Sequence, residues 1–215
     1  SSIATDFDLR LLAINQIESI TLIKGPSSVL YGSGAATAVI YIKTKSHKEK
    51  DLSVKIEQTL ATNRAVDSDP VSGISRQSTL NISSRKGAWV IEAQASGLFT
   101  DGLSAVISSQ DRPNDPDEFS QTNGRLQVKY DKGKKWSAKQ FISYDVLRQD
   151  YDRFDYSDAP FQSTTTQFRT GGSFYYRGRS SKYEFHDQWS QTERVINSDY
   201  PAVYKGLNYN NGKFL

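Results

Sequence analysis

The sequence predicts a mainly β protein whose antiparallel strands form part of a transmembrane β-barrel. Three observations support this: long runs of alternating polar and apolar residues, short connections that alternate with long ones, and aromatic residues beside the short connections. Mean hydropathy is only −0.60, yet aromatic and β-branched residues are plentiful and regularly placed. No stretch approaches the roughly 18 apolar residues of a membrane-spanning helix, so strands would have to cross the membrane.

Composition removes several classes of function. Cysteine is absent, which excludes a disulfide framework, a thiolate metal site and a nucleophilic thiol. The net charge is +3 and the charges alternate in sign along the chain, which argues against a nucleic-acid-binding surface. The opening residues, SSIATDFDLR, lack the basic and apolar regions of a signal peptide. We therefore expect the N-terminus of the whole protein to lie elsewhere or to have been removed.

The first part of the chain contains two predicted strands before a charged run. The segment Ile17 to Lys24 alternates strictly and predicts a strand, and Gly25 and Pro26 then predict a turn. A segment rich in glycine and alanine leads to a second predicted strand, AVIYIKTK. The charged run KTKSHKEKD follows. We predict a domain boundary there, with one domain over 1–46 and another over 47–215.

The second part predicts a series of long strands. We place them at 52–62, 74–84, 88–99, 121–131, 136–148, 164–177 and 182–194, with an eighth beginning near Lys205. The short connections between them are basic and contain glycine, whereas the long ones are rich in Asp, Asn, Pro and Ser. Hairpins that cross a membrane have tight turns on one side and larger loops on the other. The strands, about 10–14 residues long, are also longer than the ~5–6 of soluble proteins.

Three of the predicted strands, the first, third and fourth, have one apolar and one polar face, as expected when one side meets lipid and the other lines a lumen. The apolar faces comprise Leu52, Val54 and Ile56; Trp89, Ile91, Ala93, Ala95, Gly97 and Phe99; and Leu126, Val128 and Tyr130. The opposite faces comprise Ser53, Lys55 and Glu57; Glu92, Gln94 and Ser96; and Arg125, Gln127 and Lys129. Two residues break the rule: Phe141 falls on the polar side of its strand, and Asp187 on the apolar side.

Aromatic residues flank the short connections. Trp89, Trp136 and Tyr183 follow one, and Tyr130 and Tyr176 precede one. Rings with a polar edge settle at the level of the lipid headgroups, so we predict that these five form a membrane-interface girdle. The apolar face from Trp89 to Phe99 then spans about 33 Å along its strand and roughly 23 Å along the membrane normal.

The segment IESITLIKGPSSVLYGSGAATAVIYIKTK resembles the closing part of the plug domain in TonB-dependent outer-membrane receptors. The residues that fit the family motif are Ile17, Glu18, Ile20, Lys24, Gly25, Pro26, Leu30, Tyr31, Gly32, Gly34 and Ala35. Thr37 and Ala38 depart from it, because many members carry two glycines there, and this weakens assignment to a subfamily. The resemblance gives Lys24, Gly25, Pro26, Leu30, Tyr31, Gly32 and Gly34 a structural role in shaping the plug turn.

This resemblance implies a 22-stranded barrel with a plug inside it, in the outer membrane of a Gram-negative bacterium. Such a receptor imports a scarce ligand, whether siderophore, cobalamin, glycan or peptide, with energy delivered by the TonB complex through an N-terminal part that we expect to be absent here. Lipids, lipopolysaccharide and further subunits, such as a surface lipoprotein, are the implied partners. Seven or eight strands cannot complete that barrel. One alternative is therefore a non-transporting subunit or split-barrel component of a larger complex; another is a soluble β protein.

Catalytic and metal-binding patterns are weak. His47 and His186 have no evident partner in the sequence, and Gly32-Ser33-Gly34 lacks the motif of a nucleophilic serine, so we expect no enzymatic activity and no cofactor. Two loops are acidic, one with Asp111, Asp115, Asp117 and Glu118, the other with Asp150, Asp152, Asp155 and Asp158. Clustered carboxylates can bind calcium, and the second loop is a candidate for such a site. The candidate is weak, because neither loop has EF-hand spacing. A solvated loop, or one bridged to lipopolysaccharide by divalent ions, is the simpler interpretation.

Overall fold

The computed structural model describes residues 9–12, 17–25, 38–44, 51–62, 73–102, 117–133, 135–153 and 159–214. A short 3-10 helix, η1, comes first at Leu9–Leu11. The strands are β1 Ile17–Lys24, β2 Ala38–Thr44, β3 Leu52–Thr62, β4 Ile74–Lys86, β5 Trp89–Thr100, β6 Phe119–Asp131, β7 Trp136–Tyr151, β8 Phe161–Arg177, β9 Lys182–Asn197 and β10 Ala202–Phe214. Over these ranges, no helix has the length and apolar character needed to span a membrane.

The first two strands form a small antiparallel sheet of their own. Ile23 pairs with Val39 and Lys24 with Ala38, and the register shifts once, between Ile17 and Ser19. Both strands were predicted from their alternating residues. Strand β1 ends at Gly25, whose φ of 117° lies in the region that favours glycine.

The remaining eight strands form one antiparallel sheet, which we call the wall. Every strand of the wall pairs with its neighbours in sequence, so the order runs from β3 to β10 without a crossover. This is the meander that alternating short and long connections predict, and it confirms the predicted antiparallel β fold.

Several wall strands extend beyond their predicted ends, because backbone pairing continues into residues whose composition resembles a loop. Tyr151 pairs with Phe161, for example, and the Asp150 amide donates a 2.9 Å hydrogen bond to the Glu118 carbonyl. The short turns behave as predicted. At the turn between β6 and β7, Gly133 has a φ of 81° and its amide donates to the Asp131 carboxylate at 3.1 Å.

Burial in the wall is inverted relative to that of a soluble domain. The buried polar residues are Thr79, Ser83, Glu92, Gln94, Gln121, Asn123, Ser143, Asp145, Ser163, Thr165, Gln167 and Thr192. By contrast, the exposed large hydrophobic residues of the wall include Leu52, Ile56, Leu80, Trp89, Ile91, Leu126, Ile142, Phe168, Phe174 and Phe185. Soluble proteins rarely expose such a continuous apolar surface. We call the polar side the inward face and the apolar side the outward face.

Phe141, the first exception to the face rule, lies on the inward face as its position predicts. The Arg125 guanidinium stacks over its ring, with 3.9 Å between the guanidinium carbon and the ring centroid. A cation–π contact of this kind makes an aromatic ring compatible with a polar, charged surface. The inward face therefore accommodates Phe141 without an apolar core.

Candidate functional site

The centre of the inward face is a row of buried polar side chains across β6, β7 and β8. Asn123, Asp145 and Gln167 lie side by side in the strand register, and each is at most 4% exposed. The Asn123 amide donates to Asp145 at 2.7 Å. Arg169, two residues after Gln167 on the same face of β8, forms a 2.7 Å ion pair with the same carboxylate. Buried charges require such partners, and the Asp145 carboxylate has two of them in Asn123 and Arg169.

A second polar group extends the network toward the short turns. The Gln127 amide donates to Glu92 at 2.6 Å, and Arg125 donates to Gln127 at 3.2 Å. Alternate residues of a strand share a face, so the sequence pattern predicted that these three side chains lie on the same side of the sheet. It did not predict which side chains would bond to each other.

The 3-10 helix η1 docks on this inward face. The Gln121 amide donates to the Arg10 carbonyl at 2.6 Å, and the Asn123 amide donates to the Leu11 carbonyl at 2.7 Å. The Arg10 guanidinium in turn donates to the Gln149 side chain. A short helix leaves its last carbonyls without internal partners, and side chains of the wall satisfy two of them here.

Burial shows that this contact is close. Leu11 is 0% exposed, and Leu147, which pairs with Gln121 in the register, is 1% exposed. Elsewhere the described inward face has few buried apolar side chains. The docking of η1 therefore combines the burial of Leu11 with hydrogen bonds from the wall to the backbone of the N-terminal segment.

The predicted plug-turn residues are only partly described. Lys24 ends β1, and Gly25 follows it with a positive φ. A Cβ added at Gly25 would meet no atom within 4 Å, so the glycine is required by backbone conformation and not by space. The other predicted residues, Pro26, Leu30, Tyr31, Gly32 and Gly34, lie outside the described residues.

The structure brings the five predicted girdle aromatics together on the outward face. Trp89 contacts Tyr130 with ring centroids 4.7 Å apart, Tyr130 stacks on Trp136 at 4.6 Å, and Tyr176 lies 6.3 Å from Tyr183. Phe174 joins this cluster at 6.5 Å from Trp136, and it was not among the predicted girdle residues. Its position two residues before Tyr176, on the same face, was the available signal.

The structure does not gather the described metal and catalytic candidates into one site. Asp150 accepts a hydrogen bond from Gln162 at 3.0 Å and Asp152 from the Ala159 amide at 3.2 Å. Asp111, Asp115, Asp155, Asp158 and His47 lie outside the described residues, and the described part of the chain holds no cluster of three metal-binding side chains.

His186 lies on the inward face, as predicted. The prediction that it has no partner was wrong, however, because its Nε2 lies 2.8 Å from the Glu184 carboxylate. Both residues are side by side on one strand face, since they are two positions apart. Exposed and paired in this way, His186 is a polar side chain of the inward face.

Comparison with known families supplies the identity of the N-terminal segment. Residues 2–39 match the TonB-dependent Receptor Plug Domain. The chain thus carries part of a TonB-dependent receptor plug domain. This confirms the resemblance read from the motif, and it indicates the TonB-dependent receptor family. No curated protein matches the chain. Because η1 lies within the matched residues, its docking is a contact between the plug segment and the inward face of the wall.

Proposed function

We propose that this chain forms the end of the plug and one side of the barrel wall of an outer-membrane transporter. The transporter imports a scarce ligand with energy that the TonB complex delivers. The observation that carries the proposal is the docking of η1, a part of the plug segment, on the buried polar face of the wall. In a transporter of this kind the plug fills the lumen, so polar side chains on that side have a partner to bind.

The two faces of the wall support a place in the membrane. Membrane-spanning strands must satisfy all backbone hydrogen bonds between strands and expose apolar side chains to lipid. The wall does both, with long paired strands and an exposed apolar outward face. The aromatic cluster at Trp89, Tyr130 and Trp136 then marks the periplasmic headgroup level of a Gram-negative outer membrane. In this proposal 1–46 is the plug part and 47–215 the barrel part.

The ligand belongs to one of four classes: siderophore, cobalamin, glycan or peptide. A transporter moves its ligand unchanged, so no catalytic group and no cofactor is needed. Lipopolysaccharide would surround the outer loops, where Asp150 and Asp152 lie near the ends of β7 and β8. The five aromatic residues would contact phospholipid on the opposite side of the membrane.

Growth and uptake in paired strains test this proposal. Cells that express the full protein are supplied with one ligand class at a time, in the presence or absence of a functional TonB complex. We expect uptake of one class that disappears without TonB, together with heat-modifiable migration of the folded protein on a detergent gel. A protein that stays in solution without detergent, or a folded membrane protein with TonB-independent uptake, would contradict the proposal.

The open edges of the wall favour a second candidate function. Within the described residues, β3 and β10 each pair with only one strand. An unpaired strand edge is costly in a membrane, so further strands must cover both edges. If another protein supplies them, the chain is a split-barrel or structural subunit without transport. Purification in mild detergent distinguishes the two, because this candidate predicts a stoichiometric second chain that completes the barrel and no TonB-dependent uptake.

A further inference from the structure

Two arginine residues lie on the outward face at the end of the wall opposite the aromatic girdle. Arg76 shares its side of β4 with Leu80, and Arg148 shares its side of β7 with Ile142. Both arginine side chains are exposed. They occupy one row of the strand register, separated by one residue of β5 and one of β6. They are therefore three strand spacings apart, about 14 Å.

The lengths of the strands give the depth of these two arginines in the membrane. Arg76 lies ten residues from Lys86, which pairs with the girdle residue Trp89. Arg148 lies twelve residues from the girdle residue Trp136. These separations are roughly 33 Å and 40 Å along the strands, or about 23 Å and 28 Å along the membrane normal. Because the apolar band of a membrane barrel is about 25 Å tall, both arginines lie at the headgroup level on the far side of the membrane.

Neither arginine forms an ion pair with a carboxylate of the described chain. The Arg76 guanidinium lies over the Phe99 ring, with 5.8 Å between the guanidinium carbon and the ring centroid. Phe99 and Ser120 are the two residues between the arginines in the row, and they add an apolar ring and a hydroxyl group. A guanidinium binds a phosphate through two parallel N–H donors. The row therefore offers donors for two anionic groups.

Carboxylates are near the arginines but lie farther from the membrane. Three of them, Asp101, Glu118 and Asp150, follow one another in the next row toward the long connections. Asp101 accepts a 3.1 Å hydrogen bond from the Ile74 amide, and Asp150 accepts one of 3.0 Å from Gln162. At this end of β4 to β7, the arginines are therefore the charged outward groups nearest to the hydrocarbon layer.

We infer that Arg76 and Arg148 form a binding site, which we call the arginine row, for a lipid whose sugar headgroup carries two phosphate groups. Charge complementarity and depth support this ligand, because two guanidinium groups at one level of the membrane match two phosphates that a pair of sugars holds apart. The Ser120 hydroxyl between them is placed to bind a sugar oxygen. The inference rests on the proposed function, because it requires the outward face to lie in the membrane.

A phospholipid with a single phosphate fits the arginine row less well and the aromatic end better. Among the described outward side chains of β4 to β7, Lys86 is the one cation at the aromatic end, where it pairs in the register with Trp89. An ammonium group binds phosphate as a single point charge. The two ends of the outward face therefore present different chemistry to the two lipid leaflets.

Lipid titration followed by native mass spectrometry tests the inference. The full protein in mild detergent is titrated with diphosphoryl lipid A, monophosphoryl lipid A or phosphatidylglycerol, and the fraction of lipid-bound protein is measured. We expect diphosphoryl lipid A to bind about tenfold more tightly than either of the other two. Arg148→Gln should abolish most of this preference. Arg148→Lys should retain part of it, because an ammonium group keeps the charge and loses the two-point geometry.

Lys86→Gln is the matched control, because it removes an outward cation at the opposite end of β4. This variant should retain the preference for diphosphoryl lipid A. Equal affinity for the two forms of lipid A, or an equal loss of affinity in Lys86→Gln and Arg148→Gln, would overturn the inference. Phosphatidylglycerol that binds as tightly as diphosphoryl lipid A would overturn it too, in favour of a surface that accepts any anionic lipid.

Heat-modifiable migration of every variant separates this inference from the proposed function. A protein that does not insert contradicts the proposed function and the inference together. A protein that inserts normally but does not distinguish the three lipids contradicts the inference alone.

Discussion

The two faces of the wall differ in how they are stabilised, and the difference follows from one sequence period. On the inward face, polar side chains such as Asn123 and Asp145 are buried and bonded to each other. On the outward face, Ile91 and Ile142 are 49% and 45% exposed. An apolar surface of this kind is stable only in an apolar solvent, whereas buried polar groups require internal partners. The wall is therefore built to separate lipid from a polar interior.

Removal of the buried ion pair between Asp145 and Arg169 should give the largest loss of stability. We expect Asp145→Leu to lower the free energy of unfolding by about 3–5 kcal/mol, because Arg169 and Asn123 lose their shared acceptor. Denaturant unfolding of the full protein in vesicles measures this. The double variant Asp145→Leu with Arg169→Leu should recover much of the loss. A single variant as stable as the native protein would show that the network does not stabilise the inward face.

A cation on the outward face should be the next largest change. We expect Ile142→Arg, in the middle of the apolar face, to cost about 2–4 kcal/mol, because it places a charge in the hydrocarbon layer. The same unfolding assay applies. Gln188→Arg, on the inward face of β9, is the control and should change stability little. Equal effects at both positions would mean that the two faces meet the same environment.

Loss of a plug contact should have a smaller effect, confined to one segment. Gln121→Leu leaves the Arg10 carbonyl without its donor, at a cost of about 1–3 kcal/mol. Hydrogen exchange around residues 9–12 should accelerate, while exchange in the wall strands stays slow. Gln77→Leu replaces another inward amide far from η1 and should leave that exchange unchanged. Unchanged exchange in Gln121→Leu would separate η1 from the wall.

The aromatic cluster should give the smallest effect. Trp136→Leu removes the stacking of Trp136 on Tyr130, which we expect to lower the free energy of unfolding by about 0.5–1.5 kcal/mol beyond the lost buried area. Trp136→Phe keeps a ring and should lose less than half as much. If both variants lose the same amount, the stacking contributes nothing, and the residue acts through its indole N–H alone.

Local patterns were enough to predict the strands and their faces. Period-2 alternation assigned Trp89 and Glu92 to opposite sides, and the glycine-containing turns set the hairpins. The register of the wall follows because each hairpin joins neighbours in sequence. Local patterns could not predict the tertiary contacts. Asn123 and Leu11 are 112 residues apart, and no local pattern links them.

Asp187, the second exception to the face rule, shows the same limit. Its place in one row with Gly172 and Gln140 depends on the register of three strands. A shift of one residue in either pairing would have sent these side chains to different rows. Similarly, the plug motif predicted its family from residue identity, whereas the docking of η1 required the folded wall. Sequence therefore predicted the elements, and their juxtaposition came from the structure.

Single-cysteine scanning along β5 tests the central claim most directly, because the native chain contains no cysteine. Cysteine is placed in turn at Ile91, Glu92, Ala93 and Gln94 in the membrane-inserted protein, and a spin label at each position reports contact with oxygen in lipid and with a water-soluble relaxation agent. Two opposite faces predict strict alternation, with lipid contact at Ile91 and Ala93 and none at Glu92 and Gln94. Equal lipid contact at all four positions, or water contact at Ile91 and Ala93, would contradict the account.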